Sequence, residues 1–105
     1  MTPITETAFQ RQVLALAKLR GWRTAHFRPA KTSHGWRTAV SGDGKGFPDL
    51  VLIRGPVLIV AELKRSSKDK ARPEQAAWLV AFANAGVTTY LWTPEDWDVI
   101  ERVLA

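Results

Sequence analysis

The sequence is organised around two apolar stretches, residues 46–53 (GFPDLVLI) and residues 57–64 (VLIVAELK). Each stretch has the length and the β-branched and aliphatic content of a strand, and residues 54–56 (RGP) between them are typical of a turn. The pattern therefore predicts a β-hairpin. If the turn is centred between its glycine and its proline, positions equidistant from that centre face each other. This register places Asp49 opposite Glu62.

Two opposed carboxylates need a physical explanation, because facing side chains in an antiparallel pair lie only about 5 Å apart. At that distance and an effective dielectric constant of 20, two like charges repel by roughly 3 kcal/mol. Either one carboxyl group is protonated with a raised pKa, or a cation lies between the two. Lys64 points to the same side as Glu62, since side chains alternate along a strand. A hard divalent cation would neutralise the pair more completely and leave Lys64 free to act on whatever the ion binds.

These residues resemble the signature of the PD-(D/E)XK nucleases, in which a Pro-Asp pair is followed by Glu-x-Lys at the end of the next strand. The wider sequence, from about Thr5 onward, is similar to the stand-alone VRR-NUC domains of phages and bacteria. The matching segments are, in order, residues 46–50 (GFPDL), residues 62–64 (ELK), Gln75 with Trp78 three residues later, and Gly86-Val87 before a final strand.

The resemblance implies a metal-dependent endonuclease that hydrolyses the phosphodiester bonds of DNA. Asp49, Glu62 and the backbone carbonyl of Leu63 would hold Mg2+ or Mn2+. Lys64 would orient or deprotonate the attacking water and stabilise the charge that develops on the phosphate. Short stand-alone members resemble Holliday junction resolvases that act as homodimers, with one site for each continuous strand. We therefore expect a branched DNA substrate, a homodimer, and a setting in a bacterial or phage-infected cell.

Two further residues have alternative interpretations. Glu6 lies one turn before Phe9 on the apolar stripe of a first helix. In one interpretation, its carboxylate simply interacts favourably with the positive end of the helix dipole. The alternative is that Glu6 reaches the metal site, as an acidic residue of the first helix does in the nucleases that this chain resembles. Gln75 falls in the first turn of a helix that begins near Pro73. It either orients the catalytic groups or contacts a phosphate, as the resemblance implies, or it is an exposed polar residue.

The charge distribution favours a polyanionic partner. The net charge is +5, and residues 11–72 contain fourteen of the fifteen Lys and Arg residues against four acidic residues. For any single Lys here a solvated surface residue is the better explanation, but the uneven distribution favours a basic surface around the carboxylate pair, which suits a metal-dependent enzyme that acts on nucleic acid. The candidate DNA-binding residues are Arg28, Lys31, Arg37, Lys45, Arg65 and Lys68.

The segment from 28 to 47 is long for a loop in so small a domain, which favours a functional role. The pattern of residues 36–40 predicts an added edge strand. Trp36 lies among basic residues, which suits a nucleic-acid contact; the alternative is that Trp36 is an ordinary core residue. The glycine-rich residues 42–46 are not a P-loop, because no Ser or Thr follows the lysine and a strand comes next. His26 and His34 do not make a zinc site, since the sequence has no cysteine and no second clustered pair.

The hairpin is apolar on both faces, which requires helices on each side of the sheet. The sequence predicts one α/β domain, residues 1–105, with a restriction-endonuclease-like three-layer core. The expected order is α-β-(β)-β-β-α-β-α around a small mixed sheet, with the last strand parallel to the Glu62 strand. The absence of cysteine and of a secretory signal favours the cytoplasm, and no apolar run has membrane-spanning length.

Three alternatives stay open. A flap or nicking nuclease would use the same residues on another DNA structure. A non-catalytic DNA-binding module would keep the fold without using a metal, and the presence of Asp49, Glu62 and Lys64 together argues against it. A basic protein that binds RNA or an acidic partner would explain the charge but not the paired carboxylates.

Overall fold

The computed structural model describes residues 4–27, 30–32, 35–37 and 41–105, and for 30–32 and 35–37 it describes the backbone alone. In chain order its elements are α1 (Glu6–Leu19), β1 (Arg23–His26), β2 (Ala30–Thr32), β3 (Gly35–Arg37), β4 (Leu50–Arg54), β5 (Val57–Leu63), α2 (Pro73–Asn84), β6 (Thr88–Trp92), a 3-10 turn (Pro94–Asp96) and α3 (Trp97–Leu104).

The hairpin that organises the chain is β4 and β5, and its predicted register is confirmed. Leu50 faces Ala61, and Arg54 faces Val57 on either side of the two-residue turn. Extending this register by one residue beyond Leu50 brings Asp49 opposite Glu62. The acidic pair therefore follows from the alignment of two apolar strands.

The main sheet has the strand order β1-β4-β5-β6, with β6 parallel to β5 and the other neighbours antiparallel. One face is covered by α1 and α3, whose Phe9, Val13 and Ile100 are buried together with Leu50 and Leu52. The α2 helix contacts β5 and β6 and meets side chains that alternate to the opposite face of β5. This is the mixed three-layer α/β arrangement that the sequence predicts.

The sequence predicts a first helix capped by Thr5 or, alternatively, beginning at Thr2-Pro3, and a last helix capped by Thr93; the starts at Thr5 and Thr93 are confirmed. The Thr5 hydroxyl accepts a hydrogen bond from the Ala8 N–H at the start of α1, and the Asp96 carboxylate accepts one from the Thr93 N–H (2.9 Å) before α3. The sequence spacing predicts that Phe9, Val13, Leu16 and Arg20 share one stripe of this helix, and for Arg20 this prediction is wrong. The helix ends at Leu19, so Arg20 lies at its exposed C-terminus, and Ala17 is buried instead.

The predicted edge strand is correct as a strand but wrong in its pairing. Strand β3 pairs with β2 in a separate two-stranded antiparallel sheet, in which Lys31 faces Trp36. Residues 38–40 of that prediction lie outside the described residues. Across the described ranges, no helix is both long and apolar enough to cross a membrane.

Candidate active site

Asp49 and Glu62 meet at the end of the hairpin. The Leu63 N–H donates a hydrogen bond to Asp49 Oδ2 (2.9 Å), which joins the residue before β4 to the last residue of β5. The Glu62 side chain is 1% exposed, and its Oε2 has no hydrogen-bond partner among the described residues. Burial, a hydrogen bond with Asp49 and the negative charge of Asp49 together raise the pKa of Glu62 to about 9.

The raised pKa of Glu62 favours the first of the two ways to accommodate the acidic pair, a protonated carboxyl group. The same geometry also fits a cation. A buried carboxyl oxygen without a partner is costly, and adjacent carboxylate oxygens are the ligands that hard divalent ions prefer. Cation binding would replace the proton and satisfy the unpaired oxygen.

Lys64 is held by the first turn of α2. Its Nζ donates a hydrogen bond to Gln75 Oε1 (2.9 Å), and the same oxygen accepts the backbone N–H of Arg72 (2.9 Å). The arrangement follows from glutamine at the third helical position, where a side chain reaches back to the residue before the helix. The interpretation of Gln75 as an exposed polar residue is wrong, since the residue is 8% exposed. Gln75 is thus a buried hydrogen-bond partner of Lys64.

Glu6 lies near the acidic pair and interacts with it electrostatically. Partial burial and the nearby charges of Asp49 and Asp69 raise its pKa, against the lowering effects of Lys64 and Arg65. Glu6 lines an open cleft of about 420 Å3 together with Ile4, Thr5, Arg65 and Asp69. Within the described residues, no three His, Asp or Glu side chains converge where they could hold one metal ion. The fold thus unites Asp49 and Glu62 and leaves Glu6 in the adjoining cleft.

The predicted DNA-binding residues are described to different extents. Lys45, Arg65 and Lys68 have exposed side chains. Lys31 and Arg37 are described only as backbone positions in β2 and β3, and Arg28 lies outside the described residues.

Arg65 and Lys68 belong to a connection that is fixed at two points. Arg65 Nε lies 3.4 Å from Asp69 Oδ2. The backbone N–H and the hydroxyl of Ser67 both donate to Glu95 Oε1 (3.2 and 3.1 Å), beside the start of α3. The connection therefore runs past the site along a course held by side-chain contacts.

The sequence reasoning missed the role of Trp78. Its indole N–H donates to the backbone carbonyls of Asp43 (3.1 Å) and Lys45 (3.2 Å), in the segment that leads to Asp49. The signal was the spacing from Gln75, because residues three apart on a helix lie on neighbouring parts of one side.

Comparison with known proteins supports the fold. A solved structure described as "VRR_NUC domain protein" superimposes on this chain with a TM-score of 0.68 and 22% sequence identity, over 97% of this chain and 87% of the other. No family model matches the sequence, and no curated protein is significantly similar to it. The chain thus has the fold of a VRR-NUC domain, as its motifs indicate.

Proposed function

We propose that this chain is a metal-dependent endodeoxyribonuclease of the VRR-NUC family, within the PD-(D/E)XK nucleases. One observation carries the proposal: Asp49, the buried Glu62 and the Gln75-held Lys64 lie together at the end of one hairpin. A buried glutamate paired with an aspartate next to a restrained lysine has no evident purpose in stability alone, because a carboxyl group is costly to bury. The shared fold supports the same assignment.

Mg2+ or Mn2+ would be held by Asp49 and Glu62, with the backbone carbonyl of Leu63 as a further oxygen ligand. The unpaired Glu62 Oε2 is the feature of this chain that best fits such an ion. When bound, the ion supplies Lewis acidity to the scissile phosphate.

Around that site, the residues of the chain have distinct roles. Lys64 orients or deprotonates the attacking water, or stabilises the charge that develops on the phosphate, and Gln75 holds its amino group in place. Glu6, in the adjoining cleft, is suited to orient a water or to assist a second ion. The oxygen of water bonds to phosphorus as the bond to the 3′ oxygen breaks, which leaves a 5′-phosphate and a 3′-hydroxyl group.

The proposed substrate is branched DNA of the four-way junction type, cut in the cytoplasm of a bacterial or phage-infected cell. A four-way junction requires two symmetric cuts and one chain offers one such site, so the proposal includes a homodimer. Sedimentation equilibrium tests it directly: a mass near twice 11.7 kDa is expected, and a monomer that stays monomeric on junction DNA would contradict it.

The decisive experiment measures cleavage of labelled four-way junction, flap and linear duplex DNA with Mg2+, Mn2+ or EDTA. Metal-dependent paired nicks in the junction are expected for the wild type. They should be lost in Asp49→Ala and Lys64→Ala and kept in Asp98→Ala, which removes an exposed carboxylate on α3. Cleavage restricted to flaps or to single nicks would reassign the substrate within the same fold.

The second candidate is a DNA-binding module without catalysis. The exposed basic residues beside the site favour nucleic-acid binding whether or not cleavage occurs. High-affinity binding to the four-way DNA junction, with no cleavage in the presence of Mg2+ or Mn2+, would establish this alternative. Normal cleavage by Lys64→Ala would refute the assignment of Lys64.

A further inference from the structure

The segment that precedes Asp49 is docked onto α2 through Trp78. The indole N–H of Trp78 reaches two backbone carbonyls of this segment, those of Asp43 and Lys45. An indole has a single N–H donor, and here two acceptors share it. The Trp78 ring therefore lies beside the carbonyls of both Asp43 and Lys45. These bonds connect the second turn of α2 to residues four and six positions before Asp49.

Gly46 brings the same segment against the first turn of α2. A Cβ atom at this position would lie 2.6 Å from Glu74 Cγ, 2.7 Å from the Glu74 carbonyl carbon and 2.9 Å from the Gln75 backbone nitrogen. Its φ of +82° is also in the left-handed region that favours glycine. The segment therefore touches the helical turn from which Gln75 reaches Lys64.

Phe47 completes the contact with an aromatic cluster. Its ring centroid lies 5.0 Å from that of Trp78, 5.9 Å from that of Phe82 and 5.1 Å from that of Phe27, in each case edge to face. Such pairs stabilise a defined ring orientation beyond simple burial. Pro48, which is buried, follows directly and leads to Asp49.

We propose that Trp78, together with Gly46, is a positioning residue that sets Asp49 relative to Lys64. The first turn of α2 holds Lys64 through Gln75, and the same helix holds the Asp49 segment through Gly46 and Trp78. One rigid helix therefore fixes the spacing between Asp49, the proposed metal ligand just before β4, and Lys64 just after β5. The effect of this positioning on catalysis rests on the proposed nuclease function, whereas the docking of the segment onto α2 is independent of that function.

The first test replaces Trp78 by Phe, which keeps an aromatic ring against Phe47 and removes the N–H. Because supporting contacts of this kind are worth about 10–100-fold in metal affinity or activity, we expect Mn2+ affinity, measured by calorimetry, and kcat each to fall about tenfold. DNA affinity in EDTA should stay unchanged. Trp97→Phe on α3 is the matched control and should leave all three quantities at their wild-type values.

A metal-independent measurement uses trypsin, which cleaves after Lys45. This side chain is exposed while the backbone around it is docked on α2. Loss of the indole bond should accelerate cleavage of the bond between Lys45 and Gly46 several-fold in Trp78→Phe, and not in Trp97→Phe. Unchanged proteolysis would overturn the docking role of Trp78.

The second test acts from the other side of the contact, in case Trp78→Phe folds poorly. Gly46→Ala and Gly42→Ala both place a side chain at a left-handed φ, but a Cβ at Gly42 has no atom within 4 Å. Their difference therefore isolates the contact with α2 from backbone strain. Gly46→Ala should weaken Mn2+ binding and raise the tryptic rate more than Gly42→Ala, and equal effects would overturn the role of Gly46.

The two proposals fail in distinguishable ways. Wild-type Mn2+ affinity and kcat in Trp78→Phe would refute the positioning role and leave the nuclease assignment intact. A wild-type protein that neither binds Mn2+ nor cleaves DNA would refute the proposed function and with it the catalytic role of Trp78, while the tryptic rate would still decide whether Trp78 holds the segment.

Discussion

Glu62 is the residue at which stability and the proposed function conflict. It is almost completely buried, and burial and Asp49 raise its pKa to about 9 from an ordinary value of 4.5. Between these two values the folded state binds the proton more tightly than the unfolded state does. The free energy of unfolding therefore falls as the pH rises from about 4.5 through about 9. Without a cation, the carboxyl group destabilises the fold at neutral pH.

Glu62→Gln should stabilise the metal-free protein. Glutamine resembles the protonated acid and loses no proton, so the gain should be roughly 1 kcal/mol at pH 5 and about 3 kcal/mol at pH 7. Denaturant unfolding in EDTA across this pH range measures the difference. Glu101→Gln, at an exposed position on α3, is the control and should show no such pH-dependent gain.

The same variant tests the cation site. Mg2+ should raise the unfolding midpoint of the wild type, because an ion that binds the folded state stabilises it by mass action, and it should leave the midpoint of Glu62→Gln unchanged. A Glu62→Gln protein less stable than the wild type at pH 7 would contradict the interpretation of Glu62 as a buried protonated acid.

At the scale of elements, Arg54 joins the end of β4 to the ends of two helices. Its guanidinium donates to the carbonyls of Arg20, Leu104 and Ala105 at 2.9–3.2 Å. It also lies 4.4 Å from the ring centroid of Trp22, whose own N–H donates to the Leu104 carbonyl. Carbonyls at helix C-termini lack partners within the helix. Arg54 thus connects α1 and α3 to the hairpin at the end of the sheet opposite to Asp49 and Glu62.

Arg54→Ala should lower the free energy of unfolding by roughly 2 kcal/mol, the magnitude of charge-assisted hydrogen bonds together with a cation–π contact at a partly exposed position. Cleavage and DNA affinity should not change at temperatures where the variant is folded, because Arg54 is at the opposite end of β4 from Asp49. Urea unfolding measures the loss, with Arg23→Ala, at an exposed position of β1, as the control. Equal effects of the two substitutions would show that the contacts of Arg54 contribute nothing specific.

At the scale of the whole molecule, charge is divided between two parts of the chain. Residues 73–105, which form α2, β6 and α3, contain one Arg and five acidic residues, whereas the preceding part holds the excess of Lys and Arg. The basic part includes the connection after Lys64, with exposed Arg65 and Lys68 beside the cleft. Such an excess of positive charge attracts a polyanion to the basic part of the chain rather than to the acidic residues 73–105.

Lys68→Ala should weaken DNA binding several-fold and reduce the slope of log affinity against log salt concentration by about 1, the value for one lost phosphate contact. Arg102→Ala removes the same charge from α3 and should leave the slope unchanged. Fluorescence anisotropy in EDTA at several salt concentrations separates the two. Equal slopes for both variants and the wild type would contradict a directed basic surface.

Much of this protein is determined by local sequence. The hairpin register follows from two apolar runs around a two-residue turn, because strand pairing aligns residues symmetrically about the turn. The helix starts at Thr5 and Thr93 follow from capping, which involves residues three positions apart. Asp49, Glu62 and Lys64 were therefore predictable as neighbours, since the contacts between them depend on one hairpin.

Only the tertiary structure decided what surrounds that hairpin. The bonds of Gln75 to Lys64 and of Trp78 to Asp43 and Lys45 join residues 11 to 35 positions apart, and they depend on where α2 docks. The pairing of β3 with β2, and the position of Glu6 in the cleft, depend in the same way on packing. Sequence periodicity specifies which side of an element is apolar, but the position of one element against another results from the packing of the whole core.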